Sequence, residues 1–473
     1  MESRAQIESQ REVVVVIDGY SDDGDGCVQL DDGVLTVSGA IPGERVVARL
    51  RDDQPEESRR LMADVIDVLE PADERRDPLC QRDDICRGCQ LRHLTVAAEL
   101  EWKVDRVRRA VEEQGGFAAA GQPEIEVVTP QPIARGDAFR IHCRLHYRRV
   151  HQGFELGLTT PLRDRLVPMV DCPAQTGPMQ RLIGTVEETL SGCRQLPPDA
   201  MRAHQYDSGS DRPPALKSIR VISPTHGVGL VEIIIDELAD GGDPGEAILD
   251  DVYGPWCEAL IDAVPEKVGV AIRSGDVREY LAEPRRIRIP IDKWNMEIGY
   301  DDWVHTTLEP AQSVYQTLMT WLDCTGDDRL LDIGCGTGTI TLMASEEVDE
   351  VVGVDVNPSS IEAAELNAIG HGRSNVQFVA AGWERALRQL AMDGQEFSVA
   401  TINPTEEPLG RRTLAFLDVL EVDRLVYLGP SPTSAARDLC ELKEMGWSLT
   451  KLGAANLHPA TYRTLLMAAM ERE

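Results

Sequence analysis

Apolar and polar residues alternate in short blocks over the first seventy positions. Val13–Ile17, Gly26–Leu30, Val34–Val37, Arg45–Leu50 and Met62–Leu69 each read as a strand, because a period of two turns one apolar face toward a core. Turn residues separate them at Asp22–Asp25, Asp31–Gly33 and Pro42–Gly43. Five such strands in about sixty residues predict a small closed barrel of the OB type. It occupies residues 11–70, behind a polar tail at 1–10 that is expected to be disordered.

From Ala97 to Gln114 the apolar positions take up helical spacing and stop at Gly115-Gly116. Residues 124–300 mix elements, with strands clearest at Phe139–Val150, Ile219–Ile222 and Gly229–Ile235 and a Pro-, Asp- and Ser-rich insertion at 195–214. A helix at Pro310–Asp323 then leads into alternating strands and helices, the order that builds a doubly wound parallel sheet. The expectation is an α/β chain of four units. These are the barrel at 11–70, a cysteine-bearing loop and helix at 71–123, a mixed α+β domain at 124–300 and a Rossmann-like domain at 301–473.

Composition changes the picture at one point. The chain of 473 residues carries 81 acidic and 48 basic side chains, a formal charge of −33. Taken alone, that balance argues against a polyanion as partner. The acidic excess is spread along the whole chain, however, and only six of the basic residues are lysine. Acidic, lysine-poor surfaces stay hydrated in concentrated salt, where their self-repulsion is screened. Any stretch that stays basic is then the informative one. With no signal peptide and no apolar run of about 18 residues, a cytoplasmic monomer away from the membrane is expected.

Leu330-Leu331-Asp332-Ile333-Gly334-Cys335-Gly336-Thr337-Gly338 is an apolar strand entering a glycine-rich turn, and Thr339–Ser345 reads as the start of a helix. Glycines admit close backbone approach, and the helix start offers unpaired N–H groups. A second strand, Val351–Val354, ends in Asp355, placed to accept hydrogen bonds from ribose hydroxyls. Asn357-Pro358-Ser359 caps the helix that comes next. The alternating glycines differ from the dinucleotide fingerprint and resemble those of class I methyltransferases, which bind S-adenosylmethionine (SAM). Asp332, Gly334, Gly336, Gly338, Asp355 and Asn403 are the candidate SAM-binding residues. The plain alternative is a tight turn without a ligand.

Two further clusters carry chemistry. Cys80, Cys86 and Cys89 lie within ten residues and Cys172 comes later, in Asp171-Cys172-Pro173. Four thiols hold zinc or an iron–sulfur cluster, and spacing leaves both open, beside reduced cysteines with no metal. In Phe139–Val150, the residues Arg140, His142, Arg144, His146 and Arg148 alternate with apolar ones. One face of that strand is therefore basic, a candidate for RNA phosphates through Arg140, His142, Arg144 and Arg148. A solvated face paired with acidic neighbours is the competing expectation.

Together these parts resemble the SAM-dependent RNA uridine-C5 methyltransferases. Ser38-Gly39-Ala40-Ile41-Pro42-Gly43-Glu44-Arg45-Val46 is similar to the signature of that family's TRAM barrel. The four cysteines, with Gln90-Leu91-Arg92-His93-Leu94 after the first three, are similar to its [4Fe-4S] ligands. Phe139-Arg140, Val426-Tyr427 and Ala436-Arg437-Asp438-Leu439 resemble further family segments. The resemblance implies SAM and a [4Fe-4S] cluster as cofactors and structured rRNA or tRNA as partner.

The departures fall on the chemistry. Methylating uracil C5 requires a thiolate that adds to C6 and a base that removes the C5 proton. At the nucleophile position this chain has Pro430, within Gly429-Pro430-Ser431-Pro432, and at the base position Leu465. Asn403-Pro404-Thr405-Glu406 replaces an Asp-Pro-Pro-Arg segment and is partly similar to the Asn-Pro-Pro-aromatic loop of amine methyltransferases. Thr306 stands where the family has a Gln, and neither Cys440 nor Cys335 substitutes convincingly for the thiol. Two expectations compete: an RNA methyltransferase of this lineage with altered chemistry, and a catalytically silent SAM- and RNA-binding paralogue. A cluster-dependent regulator is a third.

Overall fold

The N-terminal strands close on themselves through one bent segment. The computed structural model describes residues 11–51, 60–78, 80, 86, 88–118, 122–128, 138–151, 153–159, 166–199, 214–237, 252–303 and 305–472. The expected tail at 1–10 and most of the expected insertion at 195–214 lie outside them. Strands β1 (Glu12–Val16), β2 (Gly19–Tyr20), β3 (Gly26–Gln29), β4 (Val34–Ser38), β5 (Arg45–Leu50) and β6 (Arg60–Glu70) form one sheet in the order β1-β5-β6-β4-β3-β2. Only Ile17 and Asp18 separate β1 from β2, and their amides donate to the Glu44 and Cys27 carbonyls at 3.0 and 2.9 Å. Residues 12–20 thus pair with β5 at one end and β3 at the other. The two edges meet and an OB-type barrel results. Its core is the inward set Val13, Val15, Leu35, Val37, Val46 and Leu61, as period-two alternation requires.

The helix Val96–Glu113 comes next, capped by the Thr95 hydroxyl, which accepts from the Ala98 amide at 3.3 Å. Strand β7 (Ile125–Val127) lies beyond it in the chain. Strands β8 (His142–Val150), β9 (Gly153–Thr159), β10 (Leu166–Pro168), β11 (Leu216–Thr225), β12 (Val228–Ile235), β13 (Lys267–Ser274) and β14 (Val277–Ala282) make a central sheet in the order β10-β9-β8-β11-β12-β13-β14. Its pairs are antiparallel except β12 with β13. The helices Gly177–Ser191 and Tyr253–Ala263 cover one face through Leu182, Val186, Trp256 and Leu260. A hairpin of β15 (Ile287–Ile291) and β16 (Trp294–Ile298) joins this sheet to the C-terminal unit.

After the helix Leu308–Leu322, eight strands form the last sheet in the order β19-β18-β17-β20-β21-β23-β22-β7. These are β17 (Arg329–Ile333), β18 (Glu350–Asp355), β19 (Val376–Ala380), β20 (Val399–Ile402), β21 (Arg424–Gly429), β22 (Trp447–Ala455) and β23 (Leu465–Arg472), with β7 at the edge. Strands β17 to β21 are parallel and β23 is antiparallel to β21. Buried on both faces, the parallel strands are near-continuous apolar runs such as Leu330-Leu331 and Val351-Val352. The chain leaves β17 toward β18 and β19 on one side and returns through β20 and β21 on the other. Ligands bind at such a reversal, outside the carboxyl ends of the strands. The α/β class, the barrel and the Rossmann-like C-terminal unit all match the sequence. The pairing of β7 with β22, which sets Ile125 against Leu452 from a distant part of the chain, has no local signature.

A buried ion pair ties the units together. Glu99 and Lys103, one turn apart on the helix Val96–Glu113, meet at 2.9 Å with both side chains almost fully enclosed. The Lys103 ammonium also donates to Asn456 Oδ1 at 2.6 Å and to the His458 carbonyl at 3.1 Å. Glu99 accepts from the Asn456 amide at 2.8 Å and the Ala460 backbone at 2.9 Å. Arg106 donates to the Tyr462 carbonyl. An N-terminal helix thereby fixes the loop 456–464. Lys103→Met alone leaves a buried unpaired carboxylate and is expected to cost about 3–5 kcal/mol. Adding Glu99→Gln, which removes the charge and keeps an acceptor, is expected to recover most of that loss. Thermal midpoints of the two variants and the parent check it; equal midpoints for the single and double variants would refute the pairing.

Candidate functional site

Four carboxyl ends of parallel strands deliver their residues into one cavity of about 960 Å3. Gly334–Thr337 come after β17, Asp355 ends β18, Asn403–Glu406 come after β20 and Pro430 after β21, all in its wall. The volume lies at the upper end for small-molecule sites, which leaves room for more than one occupant. The rest of the lining includes residues of the central sheet and of loops: Arg140, His142, Arg144, Trp303, His305 and the loop at His458.

The glycine-rich turn is built from backbone conformations that suit glycine. Gly334, Gly336 and Gly338 have φ of 83°, 54° and 84°, which side-chain-bearing residues rarely adopt. A Cβ at Gly334 would lie 2.1 Å from the Asn403 carbonyl, whereas one at Gly336 would meet nothing within 4 Å. Gly334 therefore serves the close approach of β17 to β20, and Gly336 faces open space. Gly338 packs against Ala364 of the helix Pro358–Gly370 and is outside the cavity lining. Asp355 accepts from the Gly336 amide at 2.9 Å and the Asn357 amide at 2.8 Å, which folds the turn around its carboxylate.

Asp332 has a different place from the one its motif position suggests. Its carboxylate is fully buried and accepts the Thr341 and Thr401 hydroxyls, each at 2.6 Å. It braces the turn from below, bridging the helix Thr339–Ala344 to β20, and is outside the cavity lining. Asn367 does a related job on the other side. Its amide donates to the Thr337 carbonyl at 3.0 Å and the Glu297 carbonyl at 3.1 Å, clamping hairpin β15–β16 to the turn. Neither Asn367 nor the two threonines stands out in the sequence, since their roles depend on partners far along the chain.

The basic strand presents three of its four candidates to this same cavity. Ile141, Cys143, Leu145 and Tyr147 are buried on one face of this segment, while Arg140, His142 and Arg144 line the cavity. Arg148, farther along, pairs with Glu155 instead. The four cysteines share one electrostatic neighbourhood with Arg140. Cys89 stands in the field of Arg140, Cys172, Cys86 and Cys80, and burial raises its thiol to about 12. Arg92 donates to the Cys86 and Cys89 carbonyls at 3.1 and 2.6 Å and folds that turn. Among the described residues no three metal-binding side chains stand close enough to share one ion.

No thiolate faces the cavity among the described residues. Pro430 and Leu465 are both in its wall, so the sequence positions of nucleophile and base point where such groups would act. The cysteines lining it are Cys143 and Cys335. Burial raises Cys143 to about 12 and Cys335 well above the ordinary thiol range, so both stay protonated. Cys440 sits 3.9 Å from the Cβ position of Gly116 and is outside the cavity lining. Among the described residues three histidines line it: burial holds His142 down to about 4 and His305 and His458 down to about 3. All three are neutral imidazoles near pH 7. Thr306 bonds His458 Nδ1 at 3.1 Å through its hydroxyl. At the mouth Arg463 forms an ion pair with Glu406 across the two loops.

Comparisons with known proteins agree with this arrangement. A family model described as a methyltransferase domain matches residues 325–440. The chain is 24% identical to the 23S rRNA (uracil(1939)-C(5))-methyltransferase RlmD of Vibrio parahaemolyticus, over 98% of this chain and 96% of the relative. It is 26% identical to that of Aeromonas salmonicida, over 93% and 91%. The crystal structure of a Pyrococcus abyssi tRNA (uracil-54, C5)-methyltransferase with S-adenosyl-L-homocysteine superimposes with a TM-score of 0.67 at 18% identity. The match spans 97% of this chain and 100% of that one.

The Asp332 brace has a testable signature. Burial raises its carboxyl to about 6 against the two threonine bonds. The folded state then holds a proton that the unfolded chain releases until about pH 4. Stability from this group grows as pH falls from about 7 toward 4. Asp332→Asn is expected to lack that increment, read as the difference in thermal midpoint between the two proteins across pH. A pH-independent difference would refute it.

Proposed function

We infer that this chain, a divergent member of the lineage of SAM-dependent RNA uracil-C5 methyltransferases, transfers a methyl group from SAM to RNA without a cysteine adduct. The observation that carries this is a single cavity lined both by the glycine-rich turn and Asp355 and by Arg140, His142 and Arg144. SAM fits the first group: Asp355 has lone pairs for ribose hydroxyls, and Gly336 leaves the cofactor space. RNA phosphates fit the second, whose guanidinium groups stand out in a chain of charge −33.

The chemistry is set by what the cavity lacks. C5 of uracil becomes nucleophilic only when a thiolate adds at C6, and Pro430 and Leu465 offer neither thiolate nor base. An atom that already holds a lone pair, such as a ring or exocyclic nitrogen, needs no such activation. The lone pair attacks the SAM methyl, the S–CH3 bond breaks with its electrons on sulfur, and the nitrogen sheds its proton to solvent. Positioning then supplies most of the rate. Asn403, in the cavity wall after β20, is placed to orient such a group.

The barrel is read as a TRAM module that holds RNA. The family resemblance assigns Cys80, Cys86, Cys89 and Cys172 to a [4Fe-4S] cluster, a group wider than the single ion their spacing here does not enclose, and all four share the field of Arg140. Such a cluster would staple the loop before the helix Val96–Glu113 to the central sheet. Anaerobic purification is expected to give iron and sulfide in equal amounts with broad visible absorption, lost in Cys89→Ser. Zinc without sulfide would overturn the assignment.

Two measurements test the main inference. Asp355→Ala is expected to weaken SAM binding about tenfold or more by calorimetry, consistent with loss of two ribose hydrogen bonds; unchanged affinity would remove the SAM site. RNA containing 5-fluorouracil, incubated with protein and SAM, is expected to yield no denaturation-resistant adduct, while labelled methyl from SAM enters RNA lacking this modification. A covalent adduct would restore the cysteine route. Absence of label from all RNA would return the silent paralogue.

A further inference from the structure

An exposed ion pair joins two loops that line the cavity. The first loop, 403–410, comes after β20. The Asn403 amide donates to the Ile333 carbonyl at 2.8 Å, and the Leu409 and Gly410 amides donate to the Asp438 carboxylate at 2.7 and 2.9 Å. Both ends are therefore tied down, while Thr405, Glu406 and Glu407 between them are exposed. The second loop is 456–464, which the helix Val96–Glu113 fixes through Asn456, Ala460 and Tyr462. Arg463 of the second loop pairs with Glu406 of the first, and both residues line the cavity. Among the described residues, neither side chain has another hydrogen-bond or ion-pair partner.

Exposure decides how firmly this contact holds. The two side chains are 46% and 63% exposed, and water and salt screen charges so open. Breaking the pair costs about fivefold in an equilibrium constant or less. A guanidinium on a fixed loop presents a planar fork that matches phosphate as well as carboxylate. Its surroundings have the same sign: Arg463 and Arg140 both act on the His458 imidazole, and Arg144 lines the same cavity. Glu406 has the opposite sign. Unpaired in the lining, its carboxylate would repel a polyanion; paired, it cancels Arg463. A nucleic-acid backbone releases condensed counterions to each arginine it meets, a gain that a lone carboxylate cannot match.

We propose that Arg463 is an RNA-phosphate contact masked by Glu406, and that the pair is a latch which the RNA backbone opens by exchanging carboxylate for phosphate. This rests on the RNA-binding part of the function inferred above. It adds a phosphate contact away from β8 and a carboxylate that holds the site shut until RNA arrives.

The test reads the Kd for ribosomal and transfer RNA, taken from a strain lacking the gene, by filter binding across a range of KCl. Glu406→Gln is expected to tighten binding about three- to tenfold, because it frees Arg463 and removes a repulsion. Adding Arg463→Gln should abolish that gain. The slope of log Kd against log salt should then be shallower than in Glu406→Gln by about one, the worth of one phosphate contact. Glu407→Gln removes the same charge one residue away, outside the cavity lining, and should change Kd by less than about twofold. Thermal midpoints should stay within about 2 °C of the parent, since so exposed a pair adds little to stability; a change in Kd is then not a loss of fold. Equal gains from Glu407→Gln and Glu406→Gln, or a gain that survives loss of Arg463, would reveal a general charge effect and overturn the latch. Unchanged Kd in Glu406→Gln would overturn it too and leave the methyltransferase function standing. No binding of either RNA by the parent would instead remove the RNA partner on which the latch rests.

Discussion

The Glu99–Lys103 pair and the Asn456 amide between them are the contact on which the arrangement of units depends. A carboxylate and an ammonium so thoroughly removed from water are tolerable only when each is paired and its remaining valences are filled. Here the remaining valences are filled by Asn456, the His458 carbonyl and the Ala460 amide. The pair on the helix thus dictates where the loop 456–464 runs. That loop supplies His458 and Thr461–Thr464 to the cavity. Because the same helix comes directly after the cysteine loop, the N-terminal modules and the cavity share one anchor.

Around that anchor the buried histidines and cysteines of the cavity wall offer no thiolate and no charged imidazole. Its histidines are kept neutral and its thiols protonated by the same cause, loss of solvent around the charged form. Asp332, at the base of the turn, is spent on two threonines. The groups left over are oriented hydrogen-bond donors and acceptors, an aromatic surface and guanidinium groups at the wall. On the inferred function, such a site would position a nucleophile that is competent already.

The acidic composition and the nucleic-acid inference are reconciled by location. Arg140, just before β8, and His142 and Arg144 on it line the cavity, whereas Arg148 farther along β8 is matched by Glu155. Other arginines pair with nearby carboxylates, as Arg329 does with Glu350 and Arg424 with Asp328. Net charge describes the whole surface, and binding depends on the potential within one cleft.

The sequence by itself determined the elements whose signals are local. Alternating apolar residues marked the barrel strands, the Asp332–Gly338 run marked the cofactor turn, and Asp355 fell at the end of the next strand. The basic face of β8 was legible because side chains alternate across any strand. Pro430 and Leu465 could be read as losses, since they occupy known positions in a linear pattern. Only the tertiary structure decided which of these residues meet. It turned Asp332 inward, withdrew Arg148 from the cleft, joined β7 to β22 and set His142 beside His305. Most of those outcomes depend on partners tens to hundreds of residues away, and even the short reach from Arg148 to Glu155 crosses a hairpin. A backbone hydrogen bond or a buried carboxylate leaves no local trace in sequence, because its partner is chosen by packing rather than by neighbouring residues.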